Sequence, residues 1–133
     1  MAKRGLASFH ERVANRRADI LHKLTTEIAR KYKLVAVEDL NVKGMARNRK
    51  LALSVADAGM GEVLRQLAYK VTRLVKVSRW YASSKTCSDC GCLNRELTIS
   101  DRTWVCAGCG VLHERDWNAA INILQEGLRL ATA

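Results

Sequence analysis

The first third of the chain has the hydrophobic period of an amphipathic helix. Between Ser8 and Tyr32, apolar residues recur three, four or seven positions apart and form one stripe; they are Phe9, Val13, Ile20, Leu24 and Ile28. Ser8 and Glu11 have the spacing of a capping box, which predicts that the helix begins at Ser8. The opposite face is basic, and it either lies along a phosphate backbone or is simply solvated; it carries Arg12, Arg16, Lys23 and Arg30.

A continuous apolar run replaces the helical period after this segment. Residues 34–37 are all apolar, which predicts a short strand buried on both faces. Glu38 and Asp39 follow at its carboxyl end, where the active sites of open α/β sheets gather. An acidic pair there also fits a loop opening or a charge partner for nearby arginines, so the pattern alone leaves the role of Glu38 open.

The middle of the chain predicts a second helix and a second strand. Residues 41–50 are polar and basic and read as a loop, and residues 51–61 are only weakly patterned. A helix follows, with Val63, Leu64, Leu67, Val71 and Leu74 on one side. Residues 74–77 read as a strand, so the helix end and the strand compete for the same positions, and no glycine marks the break.

Five cysteines are concentrated between residues 87 and 109. Four of them form two Cys-x2-Cys pairs, Cys87 with Cys90 and Cys106 with Cys109, and a glycine suited to a tight turn follows each pair. Two such pairs predict the four-sulfur zinc site of a zinc ribbon. Disulfides would require an oxidising compartment, and no apolar secretory leader indicates one. A redox centre would need only one pair. Cys92 is left as a free thiol.

Short β-prone runs and a final helix surround the second cysteine pair. Residues 97–99 and 103–105 are separated by residues 100–102, which is the pattern of a hairpin. His113 lies four residues after the last cysteine and is interpreted as a polar residue just outside the ribbon. Asp116 suits the N-cap of the last helix. The apolar stripe of that helix is Trp117, Ala120, Ile121, Leu124 and Leu128.

Net charge is the most informative bulk property. The 133 residues carry a formal charge of +10, and Met1–Lys50 contains 13 basic against 5 acidic residues. Such an excess favours a polyanionic partner, most often nucleic acid, although charge that serves only solubility is the alternative. No apolar run reaches the roughly eighteen residues of a membrane span. Candidate nucleic-acid contacts are Arg12, Arg16, Lys43, Arg47, Arg49, Lys50 and Lys85.

Four segments carry a resemblance to a known family. They are V-E-D-L-N-V-K-G-M (37–45), S-S-K-T-C-S-D-C-G (83–91), T-W-V-C-A-G-C-G (103–110) and H-E-R-D-W-N-A-A-I-N-I (113–123). Together they resemble the C-terminal part of OrfB/TnpB-type proteins, transposon-encoded RNA-guided DNA endonucleases related to type V CRISPR effectors. The resemblance implies an α/β fold, a partial RNase H-like (RuvC) nuclease domain over residues 8–81 and 114–130. A four-cysteine zinc ribbon is expected as an insertion over residues 82–113.

The same resemblance implies roles for individual residues. Glu38 resembles the second catalytic carboxylate of the family and Asp116 the third, while the four paired cysteines match the zinc ligands. In such a site Mg²⁺ ions activate a water molecule and stabilise the leaving oxygen of a phosphodiester. The implied partners are DNA and, in the full-length context, a guide RNA. The implied location is the cytoplasm of a prokaryotic-type cell.

The sequence also departs from the family pattern. The first catalytic aspartate is expected on an earlier strand, and Met1–Ala7 contains no carboxylate. We therefore expect a truncated endonuclease that is inactive alone. The alternative is a non-catalytic nucleic-acid-binding or regulatory ribbon module in which Glu38 and Asp116 are relics, and a redox protein is a weaker option. Without the first strands of the sheet, the strand at Leu34 would have an exposed edge that favours self-association.

Overall fold

Helices alternate with short strands along the chain. The computed structural model describes residues 2–50 and 59–133, and most of the weakly patterned stretch at 51–61 lies outside them. The described elements are α1 (Ala2–Lys31), β1 (Leu34–Glu38), α2 (Val42–Arg47), α3 (Met60–Lys70), β2 (Arg73–Val77), β3 (Thr103–Val105), β4 (Leu112–Glu114) and α4 (Arg115–Thr132). Their contacts divide the chain into two units, Met1–Leu34 with Asn41–Leu74 and Val35–Leu40 with Val75–Ala133.

Helix α1 begins six residues earlier than the capping-box pattern predicted. Ser8 therefore lies inside the helix, where its carbonyl oxygen accepts a hydrogen bond from Arg12 Nε at 3.4 Å, and the predicted N-cap is wrong. Much of the predicted apolar stripe is exposed, since Phe9 is 55% and Ile20 is 57% accessible. The contact with α3 instead involves Thr25, a neighbour of that stripe.

A polar network joins α1 and α3 in the first unit. Thr25 and Gln66 are both buried, and Thr25 Oγ1 donates to Gln66 Oε1 at 2.7 Å. Lys70 Nζ donates to Thr25 Oγ1 at 2.8 Å and to the carbonyl oxygen of His22 at 3.0 Å. Because buried polar atoms require partners, this network fixes which face of α1 meets α3.

Strands β1 and β2 form a two-stranded sheet. The backbone N–H of Arg73 donates to the Lys33 carbonyl at 2.9 Å, and that of Asp39 donates to the Val77 carbonyl at 2.7 Å, so the strands run in the same direction. Both predicted strands are confirmed. The expectation that the first is buried on both faces is wrong, because every residue of β1 is only partly buried and β2 is its one partner among the described strands.

The boundary between the second helix and the second strand is settled without a glycine. Helix α3 ends at Lys70, and the extended backbone of Val71 follows, with its N–H donating to the Leu67 carbonyl. Strand β2 begins two residues later, at Arg73. The positions that the sequence left to either element are thus divided between a helix end, a two-residue connection and a strand.

The last helix is correctly predicted, but its buried face is not apolar. Asn118, Asn122 and Gly127 are its buried residues, whereas Trp117 of the predicted stripe is 70% exposed. Gly127 lies so close to β1 that an added Cβ would be 2.5 Å from the Cβ of Ala36. Small size at Gly127 and hydrogen bonding at the two asparagines, rather than hydrophobicity, therefore select this face.

The ribbon contains one antiparallel strand pair, β3 with β4, in which Trp104 lies opposite His113. The predicted hairpin between residues 97–99 and 103–105 is wrong, because β4 takes the place of the first run. Thr98 instead belongs to a turn in which its N–H donates to Asp101 Oδ2 at 2.7 Å. In the described part of the chain, no helix has the length and apolar character required to cross a membrane.

Candidate metal centre and carboxylate cleft

The four paired cysteines converge. Their Sγ atoms all lie within 4.8 Å of one another, with 3.7 Å between Cys87 and Cys109 and 3.6 Å between Cys90 and Cys106. A tetrahedral zinc site with Zn–S bonds of about 2.3 Å has sulfur atoms about 3.8 Å apart. The predicted four-cysteine cluster is confirmed, and its sulfur atoms have the donor type and spacing that suit Zn²⁺.

The two Cys-x2-Cys pairs have the same backbone structure. The N–H of Gly91 donates to the Cys87 carbonyl at 2.9 Å, and the N–H of Gly110 donates to the Cys106 carbonyl at 2.8 Å. Both glycines have positive φ, 77° and 76°, which side chains with a Cβ disfavour. An added Cβ would meet nothing within 4 Å at either position, so backbone conformation alone selects glycine.

Backbone N–H donors lower the pKa values of these thiols, whereas burial raises them. The N–H groups of Cys109 and Gly108 favour the thiolate of Cys106 and lower its pKa to about 6. The N–H of Cys92 likewise favours the thiolate of Cys90, but hydrogen bonding to Cys106 and burial outweigh it and raise the pKa of Cys90 to about 12. A bound cation would favour the thiolate form of the cysteines, because coordination deprotonates thiols.

His113 lies inside the ribbon, contrary to the expectation that it lies just outside. It is 6% exposed, and its Nε2 is 3.0 Å from Cys87 Sγ. Its ring packs against Trp104 with 4.8 Å between centroids. His113 also forms a group with Cys87 and Asp89 in which one ligand atom from each lies within metal-binding distance. His113 thus supports a cysteine of the four-sulfur cluster directly.

Cys92 lies outside the four-sulfur group, as the sequence predicted. It is partly buried and packs against the apolar cluster of the ribbon, which contains Leu97 and Trp104. An added Cβ at Gly108 would lie 3.1 Å from its Cβ, so the two knuckles approach each other closely there. Cys92 therefore serves as an apolar packing residue in this structure.

A second concave site lies in the same unit of the chain. Glu38, the last residue of β1, and Asp116, in the first turn of α4, line one cleft of about 400 Å³. Arg79, Lys85 and Arg115 also line it. The cleft thus combines two carboxylates with three cationic side chains.

Asp116 is not the N-cap of its helix. Glu114 has that role, since its carboxylate accepts from the N–H of Asp116 at 3.3 Å and from the N–H of Trp117 at 3.0 Å. The Asp116 carboxylate is 65% exposed and lies 3.1 Å from both Nε and Nη2 of Arg115. The capping interpretation of Asp116 is therefore wrong, and its carboxylate is directed to interactions in the cleft region.

Two asparagines of α4 are buried, which the hydrophobic pattern of the sequence did not predict. Asn118 Oδ1 accepts from the N–H of Ser88 at 2.9 Å, and its Nδ2 donates to the Thr86 carbonyl at 2.7 Å. Asn122 Nδ2 donates to the Thr86 carbonyl at 2.6 Å and to the Ser83 carbonyl at 2.8 Å. The available signal was their spacing of four residues, which places both on one helix face.

Comparison with known proteins finds matches to the segments that contain the cysteine cluster and the two cleft carboxylates. Residues 61–123 match the family described as Cas12f1-like, TNB domain, and residues 1–49 match OrfB_IS605, described as "Probable transposase". A "Putative RNA-guided DNA endonuclease" of Streptomyces pristinaespiralis is 43% identical over 131 residues, which cover 96% of this chain and 32% of the relative. TnpB-like protein L79 of Acanthamoeba polyphaga mimivirus is 34% identical over 137 residues, which cover 95% and 26%. Over both matched segments the chain is similar to proteins of the OrfB/TnpB type.

The chain spans about a third or less of the length of the curated relatives it matches. Their names describe the activity of longer proteins. The resemblance seen in the sequence is confirmed at the level of the family, and the matched segments include the cysteine cluster, Glu38 and Asp116.

The predicted nucleic-acid contacts fall into two groups. Lys85 lines the carboxylate cleft. The other six belong to the first unit: Arg12, Arg16, Lys43, Arg47, Arg49 and Lys50. Arg12 and Arg16 line a shallow pocket on α1 together with Phe9 and Val13. Lys85 is thus the predicted contact that shares a unit with Glu38 and Asp116.

Proposed function

We propose that this chain contributes the RuvC-like part of an RNA-guided DNA endonuclease, with Glu38 and Asp116 in its metal-dependent active site. The observation that carries the proposal is the shared cleft, because two carboxylates distant in the sequence line one concave surface. The names of the relatives support the same reaction class. In this proposal, residues 8–81 and 114–130 belong to the nuclease domain and residues 82–113 form the inserted ribbon.

The donor set of the cleft suits Mg²⁺. Carboxylate oxygens are hard ligands, and Mg²⁺ in enzymes is held by one or two carboxylates together with water and phosphate oxygens. When bound, the metal would supply activation of water and stabilisation of the leaving oxygen. Glu38 and Asp116 would hold it, and a complete two-ion site would need a further carboxylate from a segment that precedes α1.

The remaining cleft residues have roles that follow from their charge. Arg79 and Lys85 would bind the phosphates of a DNA strand beside the scissile bond. Arg115 contacts Asp116, so it would orient that carboxylate and screen its charge as a phosphate approaches. The zinc ribbon would support the site without taking part in the reaction.

Cleavage by the 133-residue chain alone is not expected under this proposal. With two of three carboxylates, the metal clamp would be weaker and the attacking water less well positioned. We also propose that the isolated chain self-associates through β1 or β2, because a two-stranded sheet leaves backbone groups unpaired at its edges. Sedimentation as a monomer at all concentrations would contradict the second statement.

Cation binding tests the proposed site directly. Mn²⁺ is a spectroscopic substitute for Mg²⁺, and electron paramagnetic resonance measures its binding to the zinc-loaded chain. We expect Glu38→Gln and Asp116→Asn each to weaken binding by roughly tenfold or more. The matched control is Asp39→Asn, since Asp39 follows Glu38 but pairs with Lys76 at 3.8 Å. Equal affinity in all four proteins would refute the site.

A non-catalytic nucleic-acid-binding module is the second candidate function. The close contact between Arg115 and Asp116 favours it, because a carboxylate already neutralised by a guanidinium needs no metal ion. Mn²⁺ binding that Glu38→Gln weakens would contradict the view that the cleft is a relic. Salt-sensitive DNA binding with no Mn²⁺ bound at Glu38 would support it.

A further inference from the structure

We propose that Asn118 and Asn122 are positioning residues that couple the metal-bound ribbon to Asp116. This inference rests on the proposed function, because it assigns a purpose to the exact placement of that carboxylate. The two asparagines and the ribbon atoms they bind are called the amide clamp below; the ribbon atoms are the carbonyl oxygens of Ser83 and Thr86 and the N–H of Ser88.

The amide clamp holds the backbone on both sides of a metal-binding cysteine. Asn118 accepts from Ser88 and donates to Thr86, and these two residues flank Cys87. His113 approaches the sulfur of the same cysteine at 3.0 Å from the strand that leads into α4. Cys87 is therefore fixed by α4 and by the strand before it, as well as by its partner cysteines.

The other end of the clamp is the helix that carries Asp116. Asn118 lies two residues beyond Asp116 in α4, and Asn122 lies one helical turn farther. The side chains of both asparagines are almost fully buried, at 1% and 2% exposure. Because their amide groups are cut off from water, loss of the ribbon backbone would leave polar atoms unsatisfied and would favour rearrangement of α4.

The segment held by the clamp is also a wall of the cleft. Ser83, Ser84 and Lys85 line the same cleft as Glu38 and Asp116. Structural zinc stabilises the fold of a short ribbon that has little core of its own. Metal at the cysteines would therefore order both the wall of the cleft and the first turns of α4, and the ribbon would act on the nuclease site without touching substrate.

The test separates zinc content from cation binding in the cleft. The full chain, loaded with zinc, is compared with Asn122→Ala, and three quantities are measured: bound zinc, amide hydrogen exchange in the first two turns of α4, and Mn²⁺ affinity. We expect one zinc per chain in both proteins, faster exchange in the variant, and Mn²⁺ affinity lower by roughly tenfold, as for other residues that orient metal ligands. The control is Asn94→Ala, since Asn94 Oδ1 accepts from Glu96 N–H within its own loop.

Zinc depletion of the unmodified chain provides the second arm. We expect a chelator to increase exchange in α4 and to lower Mn²⁺ affinity together. If Asn122→Ala keeps normal exchange and Mn²⁺ affinity, the inference is wrong. If that variant fails to hold zinc, the depletion arm decides, and unchanged exchange in α4 overturns the inference. Absence of Mn²⁺ binding in the unmodified chain would refute the cation site, while the exchange data would still decide the coupling.

Discussion

The imidazole Nε2 of His113 lies 3.0 Å from the Sγ of Cys87, which makes this histidine a supporting residue of the cysteine cluster. In a metal-bound ribbon, an N–H···S contact stabilises the thiolate charge of the ligand. Its ring is held in place by Trp104, its cross-strand partner. The ribbon therefore depends on one residue that belongs to neither Cys-x2-Cys pair.

Replacing His113 should weaken metal binding without removing a ligand. We expect His113→Ala to lower zinc affinity by roughly tenfold and to destabilise the ribbon by about 1–3 kcal/mol, because it removes a buried hydrogen bond and a packed ring. Competition with a fluorescent zinc chelator and thermal unfolding measure the two effects. His10→Ala, an exposed histidine of α1, is the control. Unchanged zinc affinity in His113→Ala would show that the contact has no role.

A cysteine of the four-sulfur cluster and Cys92, which lies outside it, should respond differently to replacement by serine. Cys106→Ser removes one of the four proposed zinc ligands, so we expect loss of stoichiometric zinc and melting of the ribbon. Cys92→Ser lies nearby but outside the cluster, so zinc content should remain at one per chain. Elemental analysis and thermal unfolding provide the readouts. Zinc retained in Cys106→Ser with an unchanged transition would disprove the ligand assignment.

Helix α3 should lose stability at low pH through one carboxylate. Hydrogen bonds from Arg65 and Gln66 lower the pKa of Glu62 to about 2. This contribution is complete above the usual glutamate pKa of about 4.5 and decreases as the pH falls through the folded-state value. Denaturant unfolding of the unmodified chain and of Glu62→Gln should therefore differ at pH 6 and converge near pH 2. A constant difference over this range would contradict the prediction.

DNA binding should depend steeply on salt. Each phosphate contact releases counterions, so the slope of log affinity against log salt decreases by about 1 when one such contact is removed. We expect Lys85→Gln to reduce the slope by this amount in fluorescence anisotropy. Lys31→Gln is the matched control, because Lys31 already pairs with Glu27 at 2.6 Å on α1. Salt-insensitive binding would rule out contacts with the DNA backbone.

The cysteine cluster was predictable because its information is local. Two Cys-x2-Cys spacings and the glycines after them determine the knuckles almost independently of the rest of the fold. The same holds for β1, where a continuous apolar run of four residues has few alternatives. Pairing within the ribbon was not predictable in this way, since residues 97–99 and 112–114 are both short runs beside Thr103–Val105 and only the tertiary structure selects between them.

Helix faces were harder to predict than helices. The apolar period located α1 and α4 but assigned the wrong buried residues, because Thr25, Asn118 and Asn122 are buried through hydrogen bonds. Hydrophobic periodicity gives such residues no weight. The N-cap of α4 was misplaced for a related reason: Asp116 has the better capping propensity, but β4 ends at Glu114 and its longer carboxylate reaches both free N–H groups.

Asn118 and Asn122 form these hydrogen bonds with main-chain atoms of the ribbon. The attachment of the ribbon to α4 through these bonds therefore does not depend on the side chains at positions 83, 86 and 88, provided that the backbone keeps its path. A four-cysteine ribbon of different sequence should be transplantable onto α4 if it retains this path. The side chains on the outer surface of the ribbon can thus vary while its backbone hydrogen bonds to α4 stay the same. The sequence of that surface could then diversify without loss of the helix that the ribbon supports.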